Sequence, residues 1–267
     1  MSQTADLDWI EPYPGLSYRD RLMTVAEPDQ QRLLTLCGID PVVFGEHIDP
    51  AAFITLAIQE GVRNRVHANG TVNLAQRLVQ HRPLTLGEPL TVSGRILDMQ
   101  EVPRGRVVTS ETWFSGADGQ RALTTGRLSL RPGAAMASAS GTGEKAAPVV
   151  TDVNALTALE SATLTPEGVT AYTGPENPIH FDPDVARRKG YRAPIVGGGQ
   201  CVRFLTAALW RRFAPRTLGL EIFFRRPVFW DDTATVMADE REGRWTAICL
   251  VVNGKVTTEA RITELSA

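Results

Sequence analysis

Cysteine and histidine are scarce in this sequence, and their spacing excludes the common disulfide and zinc frameworks. The cysteines are Cys37, Cys201 and Cys249, an odd number that includes no Cys-x-x-Cys pair. The four histidines form neither a His-x-x-x-His nor a His-Glu-x-x-His pattern. We therefore predict buried, reduced thiols, and we expect no metal ion and no other cofactor.

The sequence also lacks an excess charge and a long apolar run. Lys and Arg together number 28 against 30 Asp and Glu, giving a formal net charge of -2, and the two signs are interspersed. That balance gives no reason to expect a nucleic-acid partner or a basic membrane-binding patch. No stretch approaches the ~20 apolar residues of a membrane helix, and the N-terminus has no signal-peptide pattern. We therefore expect a cytoplasmic protein without a membrane partner.

Helix and strand patterns occur in the same order in the two halves of the chain. In the first half, an apolar helix pattern at 51–60 precedes strand patterns at 70–79, 90–97, 107–114 and 121–130. In the second half, a helix pattern at 200–212 precedes strand patterns at 218–225, 233–240, 245–252 and 255–263. This order predicts an α+β fold with antiparallel strands.

Matching residues indicate that one helix-plus-sheet unit has been duplicated. The same distance of 144 positions separates Pro83 from Pro227 and Val92 from Val236. Residues 134–148 are rich in Gly, Ala, Ser and Thr, a composition typical of a linker. We therefore predict an N-terminal unit at 1–133, a flexible linker at 134–148 and a C-terminal unit at 149–267. Two such sheets could join edge to edge and so hide their exposed strand edges.

His180 is the histidine with the most informative surroundings. Asp182 and Pro183 follow it and predict the start of a short helix, because Asp can accept from free backbone N–H groups and Pro is tolerated at the first helical position. Gly190 predicts the end of that helix. His180 is therefore expected in a loop held by well-defined helix boundaries, where binding and catalytic groups tend to collect.

A glycine run precedes the most apolar helix pattern of the chain. Gly197, Gly198 and Gly199 lead into a segment from Gln200 that is apolar almost all round, which predicts a buried helix. The first turn of such a helix leaves backbone N–H groups unpaired, and glycines let a ligand approach them closely. Tyr172, at the other end of this region, could line the same pocket or fill the core.

The residues around His180 form a recognisable motif. The run at 173–183 is Thr-Gly-Pro-Glu-Asn-Pro-Ile-His-Phe-Asp-Pro, and Gly190-Tyr191, Ala193-Pro194-Ile195 and Gly198 follow it. This pattern resembles the MaoC-like (R)-specific enoyl-CoA hydratases, also called hydratase 2. The resemblance implies a double hotdog, in which two antiparallel sheets are each wrapped round a central helix. It also implies that the first half, which lacks the Asn-Pro-Ile-His motif, is a degenerate unit that shapes the acyl pocket.

The resemblance implies a reaction and roles for particular residues. The family adds water to a trans-2-enoyl thioester or removes it from a (3R)-hydroxyacyl thioester. His180 matches its catalytic histidine, Asn177 the Asn of its motif, and Gly198 its oxyanion-hole glycine, which Gly197 and Gly199 flank. The implied partner is an acyl-CoA or an acyl-carrier-protein thioester. Whether the chain also pairs with a second copy or with another hotdog protein is left open.

The sequence departs from the family at two positions. The family's catalytic Asp falls on Pro175, which cannot transfer a proton, and its usual His before the oxyanion glycine falls on Gly197. Three interpretations remain: Glu176 supplies the carboxylate, His180 works alone as a base at Cα or on a bound nucleophile in a modified lyase or isomerase reaction, or the site binds a thioester without turnover beside an active hotdog partner. A hotdog thioesterase is a further alternative, although residues 200–209 lack the carboxylate that it needs.

Overall fold

The computed structural model describes residues 9–67, 70–133, 146–175 and 177–267. Within these ranges, ten strands form one antiparallel sheet. They are β1 (Arg21–Met23), β2 (Val72–Gln80), β3 (Leu90–Val102), β4 (Gly105–Ser115), β5 (Arg121–Pro132), β6 (Thr157–Thr163), β7 (Thr217–Phe224), β8 (Thr233–Arg241), β9 (Arg244–Val252) and β10 (Lys255–Ser266). Eight of these strands overlap the predicted strand patterns.

The same ranges contain five α-helices. They are α1 (Glu27–Leu36), α2 (Ala52–Arg63), α3 (Pro166–Thr173), α4 (Pro183–Arg188) and α5 (Gly198–Phe213), with short 3-10 turns at Pro41–Val43, Val153–Ala155 and Pro178–His180. The helices α2, α4 and α5 lie where the sequence predicts them. No helix in the described ranges has the length and apolar character needed to span a membrane.

The order of strands in the sheet confirms the duplication. It is β1-β3-β4-β5-β2-β7-β10-β9-β8-β6, so each strand of one half has a counterpart at the mirrored position in the other half. The two halves meet where β2 pairs with β7, for example Leu78 opposite Leu220. This pairing hides the strand edge that each half would otherwise expose, which confirms the predicted edge-to-edge join.

The larger core surrounds α5. All residues from Gln200 to Trp210 are buried, and apolar side chains of β7, β8, β9 and β10 pack around them. This burial confirms the prediction from the all-round apolar pattern. A separate core fills the first half around Phe53 and Phe114, whose rings are 4.6 Å apart. Each half therefore has its own helix packed on its own part of the sheet.

Two further predictions can be compared with the structure. Cys37, Cys201 and Cys249 are buried free thiols, as predicted. Most of the predicted linker, at 134–145, lies outside the described residues. The division into units at 1–133 and 149–267 therefore stays a prediction, although the mirrored strand order is compatible with it.

Candidate functional site

The turn that carries His180 is held by the helix that follows it. His180 closes the 3-10 turn Pro178–His180, and α4 begins three residues later. The side chain of Asp182 accepts from the N–H groups of Asp184 at 2.8 Å and Val185 at 3.1 Å. Asp182 is thus the N-cap of α4, as predicted, and Gly190 follows the helix with a positive φ of 84°.

The chain that leads into α5 is fixed against this turn. The N–H group of Ile195 donates to the carbonyl oxygen of Ile179 at 3.2 Å, and that of Val196 donates to the carbonyl oxygen of Val228 at 2.8 Å. The N–H group of Trp230 donates back to the carbonyl oxygen of Pro194 at 3.1 Å. These backbone bonds hold the His180 turn beside the start of α5.

The hydrogen bonds of His180 determine its tautomer. Its Nδ1 atom is 2.7 Å from the carbonyl oxygen of Ile195. Because a carbonyl oxygen only accepts, Nδ1 must carry the proton, and Nε2 of the neutral ring carries the lone pair. The side-chain amide of Asn177 lies 3.2 Å from Nε2 and can donate to it. The ring is therefore oriented as a base through Nε2.

Burial also favours the neutral form of this ring. The pKa of His180 is lowered from its usual value, chiefly because burial disfavours the charged imidazolium, while the hydrogen bond to Ile195 opposes that shift. A half-buried imidazole with a lowered pKa remains unprotonated at neutral pH and can accept a proton from a reacting group.

The N-terminus of α5 adjoins the imidazole. Gly197 is the N-cap of α5 and has no side chain to satisfy the first N–H groups, while its carbonyl oxygen accepts from Cys201 N at 3.1 Å. Helix geometry gives the N–H groups of Gly198 and Gly199 no intrahelical acceptor. A Cβ built on Gly197 would lie 3.9 Å from Cε1 of His180. The imidazole therefore lies next to the partly positive terminus of α5.

Close packing requires the next two glycines. A Cβ on Gly198 would lie 2.9 Å from two ring carbons of Phe224, and one on Gly199 would lie 2.6 Å from Oγ1 of Thr55. Thr55 belongs to α2, so the first half of the chain forms one wall of the helix start. The sequence analysis missed Thr55; its only signal is that it is a polar residue within the apolar pattern at 51–60.

The remaining predicted site residues are Glu176 and Tyr172. Glu176 is outside the described residues, so its suggested role as a carboxylate stays a prediction. Tyr172 lies on α3, where its ring centroid is 5.5 Å from the guanidinium carbon of Arg203. Arg203 is paired with Asp49 at 3.2 Å, and both are almost fully buried. Tyr172 thus takes part in a buried polar network of the core.

Solved structures share this fold, whereas neither a protein-family profile nor a curated protein matches the sequence. HtdX from Mycobacterium tuberculosis has a TM-score of 0.74 at 18% identity, covering 92% of this chain and 98% of its own. A MaoC-like dehydratase from Phytophthora capsici has a TM-score of 0.67 at 19% identity, with coverages of 94% and 96%. Another Mycobacterium tuberculosis protein, described as a double hotdog, has a TM-score of 0.61 at 13% identity, with coverages of 94% and 95%.

These likenesses define the class of protein by its fold. The chain is a double hotdog protein, which confirms the predicted fold class. Sequence identities of 18% and 19% to these structures establish the fold alone, because one fold supports many functions. The function has to be inferred from the arrangement around His180.

Proposed function

We propose that this protein is a MaoC-like hydratase or dehydratase, or a modified lyase, that acts on an acyl thioester of CoA or of a carrier protein. One observation carries the proposal: the imidazole of His180, with its proton on Nδ1, lies beside the start of α5, where the N–H groups of Gly198 and Gly199 have no intrahelical acceptor. Enolate chemistry on a thioester needs both a base and preorganised donors for the developing oxyanion. The shared fold with a MaoC-like dehydratase supports the same assignment.

The proposed reaction adds one water across the double bond of a trans-2-enoyl thioester. His180 Nε2 takes a proton from the water as the water oxygen bonds to Cβ, and the π electrons move onto the thioester oxygen. The N–H group of Gly198 donates to that oxygen and stabilises the enolate. The imidazolium then returns the proton to Cα, so the ring ends neutral and one water is consumed. Dehydration is the reverse sequence.

This mechanism needs no carboxylate at position 175. Because one imidazole takes the proton and returns it, His180 can act as both base and acid while Pro175 contributes no chemistry. Asn177 holds the ring in position before the reaction, and its amide must yield its place at Nε2 to the attacking water. A contribution of Glu176 would add a second proton carrier to the same scheme.

The test is the loss of enoyl-thioester ultraviolet absorbance on adding protein to short, branched and aromatic enoyl-CoA substrates. The His180→Ala variant should lower kcat by about 10²- to 10⁴-fold, the range for a general acid–base group. His81→Ala is the matched control, since His81 is exposed and lies in the first half. No absorbance change with any of these substrates would refute the hydratase.

A second candidate function is a non-catalytic subunit that binds an acyl thioester or serves as a scaffold for an active hotdog partner. It is favoured by Pro175, which removes a proton-transfer group, and by the amide of Asn177 at Nε2. It predicts tight binding of an acyl-CoA by calorimetry without turnover. A measured turnover that is lost in a folded His180→Ala variant would exclude it.

A further inference from the structure

A polar cavity lies inside the first half, between α2 and the sheet. Its volume is about 40 Å³, and α2 lines one side with Ile54, Ala57 and Ile58. The opposite side is the inner face of the sheet, which presents hydroxyl, amide and guanidinium groups beside the apolar Ile96 and Val108, whereas mainly apolar side chains are expected beneath a helix. These groups belong to Gln76, Ser110, Thr112, Thr125, Arg127 and Ser129.

In the second half of the chain, the equivalent inner face of the sheet is apolar and forms part of the hydrophobic core. Thr125 and Thr258 are counterparts, because each is the second residue of a Thr-Thr pair in the equivalent strands β5 and β10; Thr125 pairs with Thr112, and Thr258 pairs with Leu250. Counting along the paired strands then matches each polar position with an apolar one. The matched pairs are Gln76 with Ile222, Ser110 with Ile248, Thr112 with Leu250 and Arg127 with Ala260. The apolar members all belong to the core around α5.

Arg127 carries a positive charge into this cavity without a matching carboxylate. Its Nε donates to Oδ1 of Asn73 at 2.5 Å and its Nη2 donates to Oγ1 of Thr71 at 2.9 Å, both uncharged acceptors. Among the described residues, no Asp or Glu forms an ion pair with it, whereas the buried Arg203 has Asp49. Burial lowers the pKa of Arg127 to about 10, so it is charged at neutral pH.

The other polar groups of the cavity are also under-used. Gln76 is 6% exposed, and its Oε1 is buried without a hydrogen-bond partner. A half-turn of its terminal amide exchanges oxygen and nitrogen, so the same group can donate to an anion. Tyr18 borders the cavity, and burial raises its pKa to about 12, which keeps its hydroxyl protonated. Gln76 and Tyr18 therefore line the same cavity as Arg127, and Gln76 lies opposite Arg127 in the neighbouring strand.

One residue of the cavity lining also packs against the start of α5. Ile54 lines the cavity, and Cγ2 of Ile54 lies 3.9 Å from a Cβ built on Gly199. From Ile54 the lining follows α2 as far as Gly61, which is about 10 Å at the helical rise of ~1.5 Å per residue. An extended chain advances about 1.2 Å per bond, so about eight bonds span this length.

We propose that the cavity binds a carboxylate, and that this carboxylate is the far end of an acyl chain whose thioester lies at Gly198. The assignment rests on the proposed function and adds the substrate class: medium-length thioesters that end in a carboxylate rather than a methyl group. A volume of about 40 Å³ holds roughly three water-sized groups, which suits a carboxylate end group. A free small dicarboxylate has the same chemistry and is the other source of such a group.

The experiment compares matched acyl-CoAs that have the same chain length and end in either carboxylate or methyl. Calorimetry gives their Kd values with the wild-type protein, so the result does not depend on turnover. The carboxylate-ended ligand should bind at least ~10-fold more tightly, and the Arg127→Gln variant should lose ~10- to 100-fold for this ligand alone, as expected for charged hydrogen bonds. The control is Arg77→Gln. Arg77 is exposed, and because successive residues of a strand point to opposite faces, it lies on the face away from the cavity that its neighbour Gln76 lines.

The outcomes separate this proposal from the proposed function. Equal Kd values for the two end groups with the wild-type protein would overturn the carboxylate site, even if the protein hydrates enoyl-CoAs. Arg127-dependent binding of free adipate, without any preference among the acyl-CoAs, would show a separate anion site and overturn the assignment to the acyl end. A carboxylate preference that persists in His180→Ala, with turnover absent throughout, would support the site and reject only the hydratase.

Discussion

The N–H group of Gly198 can be removed while α5 keeps its start, which makes its proposed role in oxyanion binding directly testable. Gly198 is the first residue of α5, where proline is well tolerated because its missing N–H group has no intrahelical acceptor. Gly197 has φ of -64° and ψ of 141°, the extended conformation that a residue before proline prefers. Gly198→Pro therefore removes the donor with little cost to the helix.

The side chain of proline creates a steric problem that a second substitution can remove. A Cβ at position 198 would lie 2.9 Å from Cε1 and Cζ of Phe224, closer than packed carbon atoms allow. Both variants are therefore made together with Phe224→Ala. Gly198→Pro/Phe224→Ala lacks the N–H group, and Gly198→Ala/Phe224→Ala retains it with a similar Cβ. The difference between the two double variants reports on the donor.

Loss of one oxyanion donor typically lowers kcat by about 10²- to 10³-fold, or ~2.7–4 kcal/mol of transition-state stabilisation. We expect this ratio between the two double variants in the enoyl-CoA absorbance assay. Their urea unfolding midpoints should differ little, which checks that the helix start is intact. Equal kcat values in two equally stable variants would refute the role of the Gly198 N–H group.

Three further predictions concern stability and proton transfer. The Asp49→Ala variant leaves Arg203, which is 2% exposed, without its carboxylate, so the free energy of unfolding in urea should fall by about 3–5 kcal/mol. The control is Asp184→Ala, which breaks the exposed pair of Asp184 and Arg187 and should cost at most about 1 kcal/mol. An equal loss in both variants would contradict the prediction. Because the pKa of His180 is lowered in the folded protein, this residue contributes stability that is full above pH 6.5 and is lost as the pH falls through the lowered pKa. The His180→Gln variant should therefore show a weaker pH dependence of the free energy of unfolding, measured by urea titration at several pH values. An unchanged pH profile would count against this prediction. The Pro175→Asp variant places a proton-transferring carboxylate at an exposed position. If position 175 faces the thioester, the initial rate of enoyl-CoA hydration should rise, and an unchanged initial rate would show that this position does not face it.

Local signals in the sequence explain why most of the fold could be predicted. Strands β7 to β10 are bounded by turn residues, and Asn253 and Gly254 both have positive φ, as the Asn-Gly hairpin signal requires. The all-round apolar pattern gave α5, with a start two residues earlier than expected because glycines carry no apolar signal. These features depend on neighbours in the sequence and are therefore visible without tertiary contacts.

Features that depend on tertiary contacts were missed. Strand β6 is an edge strand with no fully buried residue, and α3 buries only Val169, so neither has a clear apolar period. The motif indicated His180 and the glycine run, but it gave no signal for the Ile195 carbonyl that fixes the tautomer. That contact comes from the backbone and is independent of side-chain type.

The central helices of the two halves, α5 and α2, differ in how much of their surface is buried. This difference suits the two proposed roles, which are oxyanion stabilisation at α5 and recognition of the acyl end beside α2. Helix α5 has eleven buried residues of sixteen, whereas α2 has four of twelve. Donors that stabilise a transition state need a rigid support, which the apolar sheet beneath α5 gives. The sheet beneath α2 presents Arg127 where the other half has Ala260, and the cavity left beside α2 has room for the end group of an acyl chain. In the two proposals taken together, one half holds the reacting carbonyl in place, and the other half selects the end of the chain by its charge.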